Sequence, residues 1–133
     1  MTSKITYNGN LRTTCEHIKS GNTFITDAPT DNNGKGEAFS PTDTVVTALA
    51  SCMLTVMGIK ADQLNVDMIN ATAEVVKTMA SNPRRISKID MVIKLPKSYD
   101  EKTKSILEHT ANTCPVHFSL HPDIEKNISF VYG

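Results

Sequence analysis

The sequence predicts an α+β domain with mostly antiparallel strands around a long buried central helix. Three observations carry that reading. Short Thr-rich segments broken by Gly and Asn turns open the chain. A helix apolar on nearly every face follows. Alternating segments flanking a second, amphipathic helix close it.

The opening strands are expected at Lys4–Tyr7, Thr13–Ile18 and Asn22–Thr26, punctuated by Asn8-Gly9-Asn10 and Ser20-Gly21-Asn22. Residues 27–36, with three Asp or Asn residues near two glycines, read as a loop. Ser40-Pro41-Thr42-Asp43 then reads as a helix start. Ser40 supplies the cap, Pro41 suits the first helical position, and Asp43 completes a capping box. From Val45 to Ile59 apolar residues fall on nearly every side. That pattern predicts burial all round, at the centre of the fold or of a dimer.

Two further strands are expected at Ile69–Thr78 and Lys88–Leu95. In the second, Ile89, Met91, Ile93 and Leu95 share one face. A helix from about Asp100 to Thr113 turns Ile106, Leu107 and Thr110 one way. It ends where Pro115 forces the backbone out of helix. A short turn, Pro115–Leu120, leads to the last strand, Asn127–Tyr132.

With 133 residues the chain is expected to be a single domain, 1–133. Fourteen basic and fourteen acidic residues cancel, so no global field recruits nucleic acid or an anionic membrane. The start, Met-Thr-Ser-Lys-Ile-Thr-Tyr, has no apolar leader core, and the Val45–Ile59 stretch is short for a bilayer crossing. The expected location is the cytoplasm, without a membrane or nucleic-acid partner. Three cysteines in a reducing compartment are not a disulfide scaffold. They are core residues, metal ligands or redox groups.

Cys52, on the buried helix, is open to two readings: a small hydrophobe or a reactive thiol. The helix dipole does not activate it, because Cys52 lies about three turns from the helix start. Cys114, before Pro115, is likewise a core residue or a functional thiol. Cys114-Pro115-Val116-His117 also admits a metal reading, weakened because no Cys-x-x-Cys pair accompanies it. His117 and His121 flank the turn after Cys114, and either could serve as a base for a thiol or merely bond to the backbone. Cys15 reads as core or edge packing.

Two segments together resemble the OsmC/Ohr family. Phe39-Ser40-Pro41-Thr42-Asp43 followed by Ala48-Leu49-Ala50-Ser51-Cys52 is similar to its central-helix signature. Cys114-Pro115-Val116-His117 with Ser119-Leu120 is similar to its second-cysteine motif. The resemblance implies an intertwined homodimer with sheets from both chains around paired central helices. It implies a thiol-dependent peroxidase that reduces organic hydroperoxides in oxidative-stress defence. Cys52 would attack the peroxide, Cys114 would resolve the product as a disulfide, and an external dithiol of lipoyl type would reset the pair. No metal or bound cofactor is implied.

The family also uses an arginine and a carboxylate. Arg12, the one arginine before the central helix, is the candidate for the first, with a solvated strand residue as the alternative reading. For the second, the chain departs from the pattern: Ser40-Pro41-Thr42 stands where Asn-Pro-Glu is common. Asp43 precedes Cys52 by nine residues and lies on the opposite helix face, so Glu37 becomes the candidate. In this respect the chain resembles the broader OsmC-like branch more than Ohr. A competing function is that of a binding protein for a small apolar ligand, with the cysteines serving only as packing.

Overall fold

The computed structural model describes the whole chain, Met1–Gly133. It divides into two compact units, Met1–Val45 and Val46–Gly133.

The first unit is built on a three-stranded antiparallel sheet, β1 (Ser3–Gly9), β2 (Arg12–His17) and β3 (Thr23–Asp27), in that spatial order. Alternate side chains face opposite ways, so β2 sends Arg12, Thr14 and Glu16 to one face and Thr13 and Cys15 to the other. Cys15 sits opposite Ile5 on β1 and Phe24 on β3. The segment after β3 is a tightly folded turn rather than an open loop. Thr30–Asn32 forms one 3-10 turn, and the Gly34 and Gly36 N–H groups donate to the Pro29 and Ala28 carbonyls. Position 34 must be glycine because a Cβ there would overlap the Ala28 carbonyl.

Helix α1, Pro41–Gln63, opens on the expected capping box. The Asp43 N–H donates to Ser40 Oγ, and the Ser40 N–H donates to Asp43 Oδ2, both at 3.0 Å. The helix is longer than the 15-residue apolar stretch, and at 23 residues it has the length and apolarity of a bilayer crossing. A stripe of it is nonetheless built into a protein core: Leu49, Met53 and Met57 are fully buried. Such a stripe is the mark of a core helix. The expectation of burial all round is corrected within one chain. Val46, Leu49, Ala50, Met53, Met57 and Ala61 form a single buried stripe, while Val45 and Ile59 remain exposed. One sheet covers only one side of a helix.

The second unit adds β4 (Thr72–Ala80), β5 (Arg85–Leu95), α2 (Glu101–Ala111), α3 (Pro115–Ser119) and β6 (Glu125–Tyr132). β5 is the central strand of the sheet β4-β5-β6. Its alternation is as read: Ile89, Met91, Ile93 and Leu95 are buried together with the α1 stripe, Leu107, Ala111 and Cys114. The expectation of antiparallel pairing fails at one place. β6 runs parallel to β5, with Lys88 opposite Glu125 and Leu95 opposite Tyr132. The reason is the connection. Residues 96–124 carry two helices and are long enough for the crossover that a parallel neighbour needs.

α2 starts at Asp100, whose carboxylate accepts the Thr103 N–H at 2.8 Å. It is tied to β6 by Tyr132, whose hydroxyl donates to Glu108 Oε2 at 2.6 Å. Lys104 Nζ stands 4.7 Å from the centre of the same ring, and Tyr99 meets it edge to face. Burial and the Glu108 carboxylate push the Tyr132 phenol up, so it stays a donor at neutral pH. Tyr132→Phe is expected to cost about 1 kcal/mol of stability in urea unfolding, because one charge-assisted hydrogen bond is lost while the ring packing is kept.

Candidate active site

Cys114 lies at a junction. Pro115 ends the α2 region and, in the same step, becomes the first residue of α3. Cys114 is therefore the N-cap of α3. Its Sγ accepts the His117 N–H at 3.4 Å, a sulfur taking the place of the usual Ser or Asp oxygen. The residue is completely buried. Burial pushes its thiol up, the His117 N–H pulls it back, and the neighbouring Cys52 thiol, within hydrogen-bonding reach, pushes it up further. Cys114 thus rests as a protonated thiol at neutral pH.

Cys52 belongs to α1, beside the buried stripe. It packs against the core cluster but stays half-buried, so the two neighbouring thiols differ in access. Both are free. The sixty-two positions between them, 114 minus 52, are closed by β4, β5 and α2 folding back onto α1. No three His, Cys, Asp or Glu side chains gather as metal ligands, at Cys114–His117 or elsewhere.

The histidines are not equivalent. His121 is exposed, and its Nδ1 accepts the Asp123 N–H at 3.0 Å. His117 has a buried Nδ1 with no hydrogen-bond partner. Burial, with the charge of Lys126, lowers its pKa and keeps the imidazole neutral.

Within the first unit, Arg12 is not a solvated strand residue. Its Nε and Nη2 donate to the two oxygens of Asp27 at 3.2 and 3.0 Å, a bidentate pair. Asp27 is only 1% exposed and accepts a third bond, from the Glu37 N–H at 3.0 Å. Those bonds, the guanidinium first, hold its carboxyl below the usual carboxylate range against the cost of burial. Glu37, read from sequence as the carboxylate partner, reaches Arg12 Nη2 only at 3.6 Å and is 62% exposed. It contributes chiefly its backbone N–H. The principal carboxylate on Arg12 is Asp27, which sequence reading missed. The signal lay in the register: once the turn between β2 and β3 is centred between Lys19 and Ser20, residue 12 pairs with residue 27. Thr42, standing where the family commonly has Glu, is used in the helix cap, with its hydroxyl 3.2 Å from Ser40 Oγ.

A model of the OsmC-like protein family matches residues 34–129, more than two thirds of the chain. The chain belongs to the OsmC-like family. It is 53% identical to a protein of Psychrobacter arcticus 273-4 named provisionally for osmotic stress induction and a detoxification response. That match covers 98% of this chain and 95% of the other, with a TM-score of 0.95. The same fold appears in an organic hydroperoxide resistance protein OsmC of Legionella pneumophila. There the identity is 13%, the coverage 98% and 97%, and the TM-score 0.72. It appears again in an organic hydroperoxide resistance protein of Elizabethkingia anophelis, at 12% identity, 100% and 97% coverage and a TM-score of 0.77. At those identities the likeness is one of fold. No curated protein sequence matches. The OsmC/Ohr resemblance read from the two cysteine motifs and the α+β architecture is thereby established, in a family that includes hydroperoxide resistance proteins.

Proposed function

We propose that this OsmC-like protein is a thiol-dependent peroxidase that reduces organic hydroperoxides through Cys52 and Cys114. The observation that carries the reading is the pairing of two neighbouring free thiols, one half-buried and one completely buried, in one compact unit. The accessible thiol is suited to meet a peroxide, and the protected one to react only with its neighbour. The Cys52 thiolate attacks the distal peroxide oxygen, the O–O bond breaks, and the protonated alkoxide leaves as an alcohol. The sulfenic acid on Cys52 then condenses with Cys114, releasing water and forming a disulfide. An external dithiol of lipoyl type reduces that disulfide by exchange. Arg12, held by Asp27, is proposed as the guanidinium that favours the Cys52 thiolate. The protein is proposed to act in the cytoplasm as a homodimer. Support for the dimer comes from apolar side chains exposed in the single chain, including Ile5, Tyr7 and Phe24 on the first sheet and Ile59 on α1.

The test is consumption of cumene hydroperoxide by reduced protein with dihydrolipoamide. Sustained turnover with a transient Cys52–Cys114 disulfide, read by mass spectrometry, is the expected result. No consumption, with thiols unmodified after excess peroxide, sinks the proposal. It would favour the second reading, binding of a small apolar ligand, for which the hollow of about 380 Å³ lined by Ile5, Cys15 and Phe24 on the first sheet is the supporting observation.

A further inference from the structure

We infer that His117 is the base that takes the proton from Cys114 when the two cysteines join. The inference rests on the Cys52–Cys114 pairing proposed above and assigns the group that drives its second step.

A buried thiol is a poor nucleophile until it loses its proton. Burial and the adjacent Cys52 both hold the proton on Cys114, so resolution needs an acceptor that is itself shielded from water. His117 stands three residues after Cys114 in the same first turn, with its backbone N–H already on the sulfur. Helical side chains lean toward the N-terminus, which carries the ring of the third residue back toward the cap. Its Nδ1 is buried without a hydrogen-bond partner, although buried polar atoms are nearly always bonded. A neutral imidazole with the proton on Nε2 offers a free lone pair at that atom. Phe118 closes one side of the ring, edge to face at 5.7 Å. Lys126 on β6 opposes a lasting imidazolium. The proton's stay on His117 is therefore brief, as turnover requires. His121, the other histidine near the motif, already uses its Nδ1 on the Asp123 N–H and is exposed.

The step balances. The Cys114 proton passes to His117 Nδ1, and the freed sulfur pair forms the bond to Cys52. The S–O bond of the sulfenic acid breaks, and the leaving hydroxide takes the proton back from the imidazolium and departs as water. Cys114 is oxidised and the Cys52 sulfenic acid is reduced, so both end in the disulfide.

The test needs no peroxide. In the full chain carrying Cys15→Ser, Cys52 is converted to its mixed disulfide with thionitrobenzoate. Attack by Cys114 is then followed through release of the coloured thiol. His117→Asn and His117→Gln, which cannot accept a proton at neutral pH, are each expected to slow release on the order of 100-fold at pH 7. The deficit is expected to shrink as pH rises, because Cys114 then ionises unaided. Equal rates in variant and parent overturn the inference. So does a slowing by one constant factor at every pH, which would mark a purely structural role. If hydroperoxide is not consumed but this pH-dependent slowing appears, the peroxidase reading falls and the role of His117 stands. Normal peroxide turnover with unaltered release in both variants sinks the inference alone.

Discussion

Cys52→Ser is expected to abolish hydroperoxide turnover, by on the order of a thousandfold or more, while leaving the fold intact. A serine hydroxyl is not ionised at neutral pH and does not take the distal peroxide oxygen as a thiolate does. The substitution is nearly isosteric at a half-buried position of α1 beside, not within, the fully buried stripe. Cys114→Ser should behave differently. It leaves the attacking thiol in place, so one equivalent of peroxide is consumed per chain, the sulfenic acid accumulates on Cys52, and turnover stalls until a monothiol is added. Stopped-flow peroxide consumption with dimedone trapping reads both phases. If Cys52→Ser retained turnover, no assignment of roles to these cysteines would survive. If Cys114→Ser kept full turnover with dihydrolipoamide alone, the external dithiol would be attacking Cys52 directly, and Cys114 would be a core residue after all.

The contrast between the two cysteines also marks what the sequence could and could not say. Both motifs were legible, and so were the elements that bear them. The capping box at Ser40 and Asp43, the inward face of β5, and the Asp100 start of α2 all rest on contacts within a few residues or on a simple period. What was missed depends on pairings set by the tertiary fold or on a signal with two meanings. Pro115 was read only as a terminator, yet a proline after a capping side chain equally begins a helix, and here it begins α3. The parallel placement of β6 beside β5 is not written in β6, whose alternation serves either direction. Burial of α1 was overread because composition reports how apolar a face is and not what covers it. Cys114 and Cys52 carry no local sign of being neighbours, since the contact depends on how β4, β5 and α2 return to α1.

Asp27 is the most consequential of these omissions, and its substitution is the sharpest test of the arginine's role. Arg12 holds Asp27 through both its Nε and Nη2 atoms, whereas Glu37 stands further off and largely in solvent. Asp27→Asn is therefore expected to act like Arg12→Ala. Each should lower peroxide turnover on the order of 100-fold and move the pH profile of Cys52 alkylation upward, because an unheld guanidinium no longer favours the thiolate. Glu37→Gln should change either quantity by less than about twofold, since an exposed ion pair is screened and its backbone N–H on Asp27 is retained. The pair also has a pH signature of its own. The Asp27 carboxyl is depressed in the folded chain. Its stabilising contribution is therefore complete above the ordinary carboxylate value of about 3.9 and is lost as pH falls through the lower folded value. The difference in stability between parent and Asp27→Asn should accordingly be constant near neutrality and narrow only in acid. A Glu37→Gln variant as impaired as Asp27→Asn would return the carboxylate role to Glu37. An Asp27→Asn variant with full turnover and an unmoved alkylation profile would make the bidentate pair a brace for the β2–β3 sheet edge, with no part in activating the thiol.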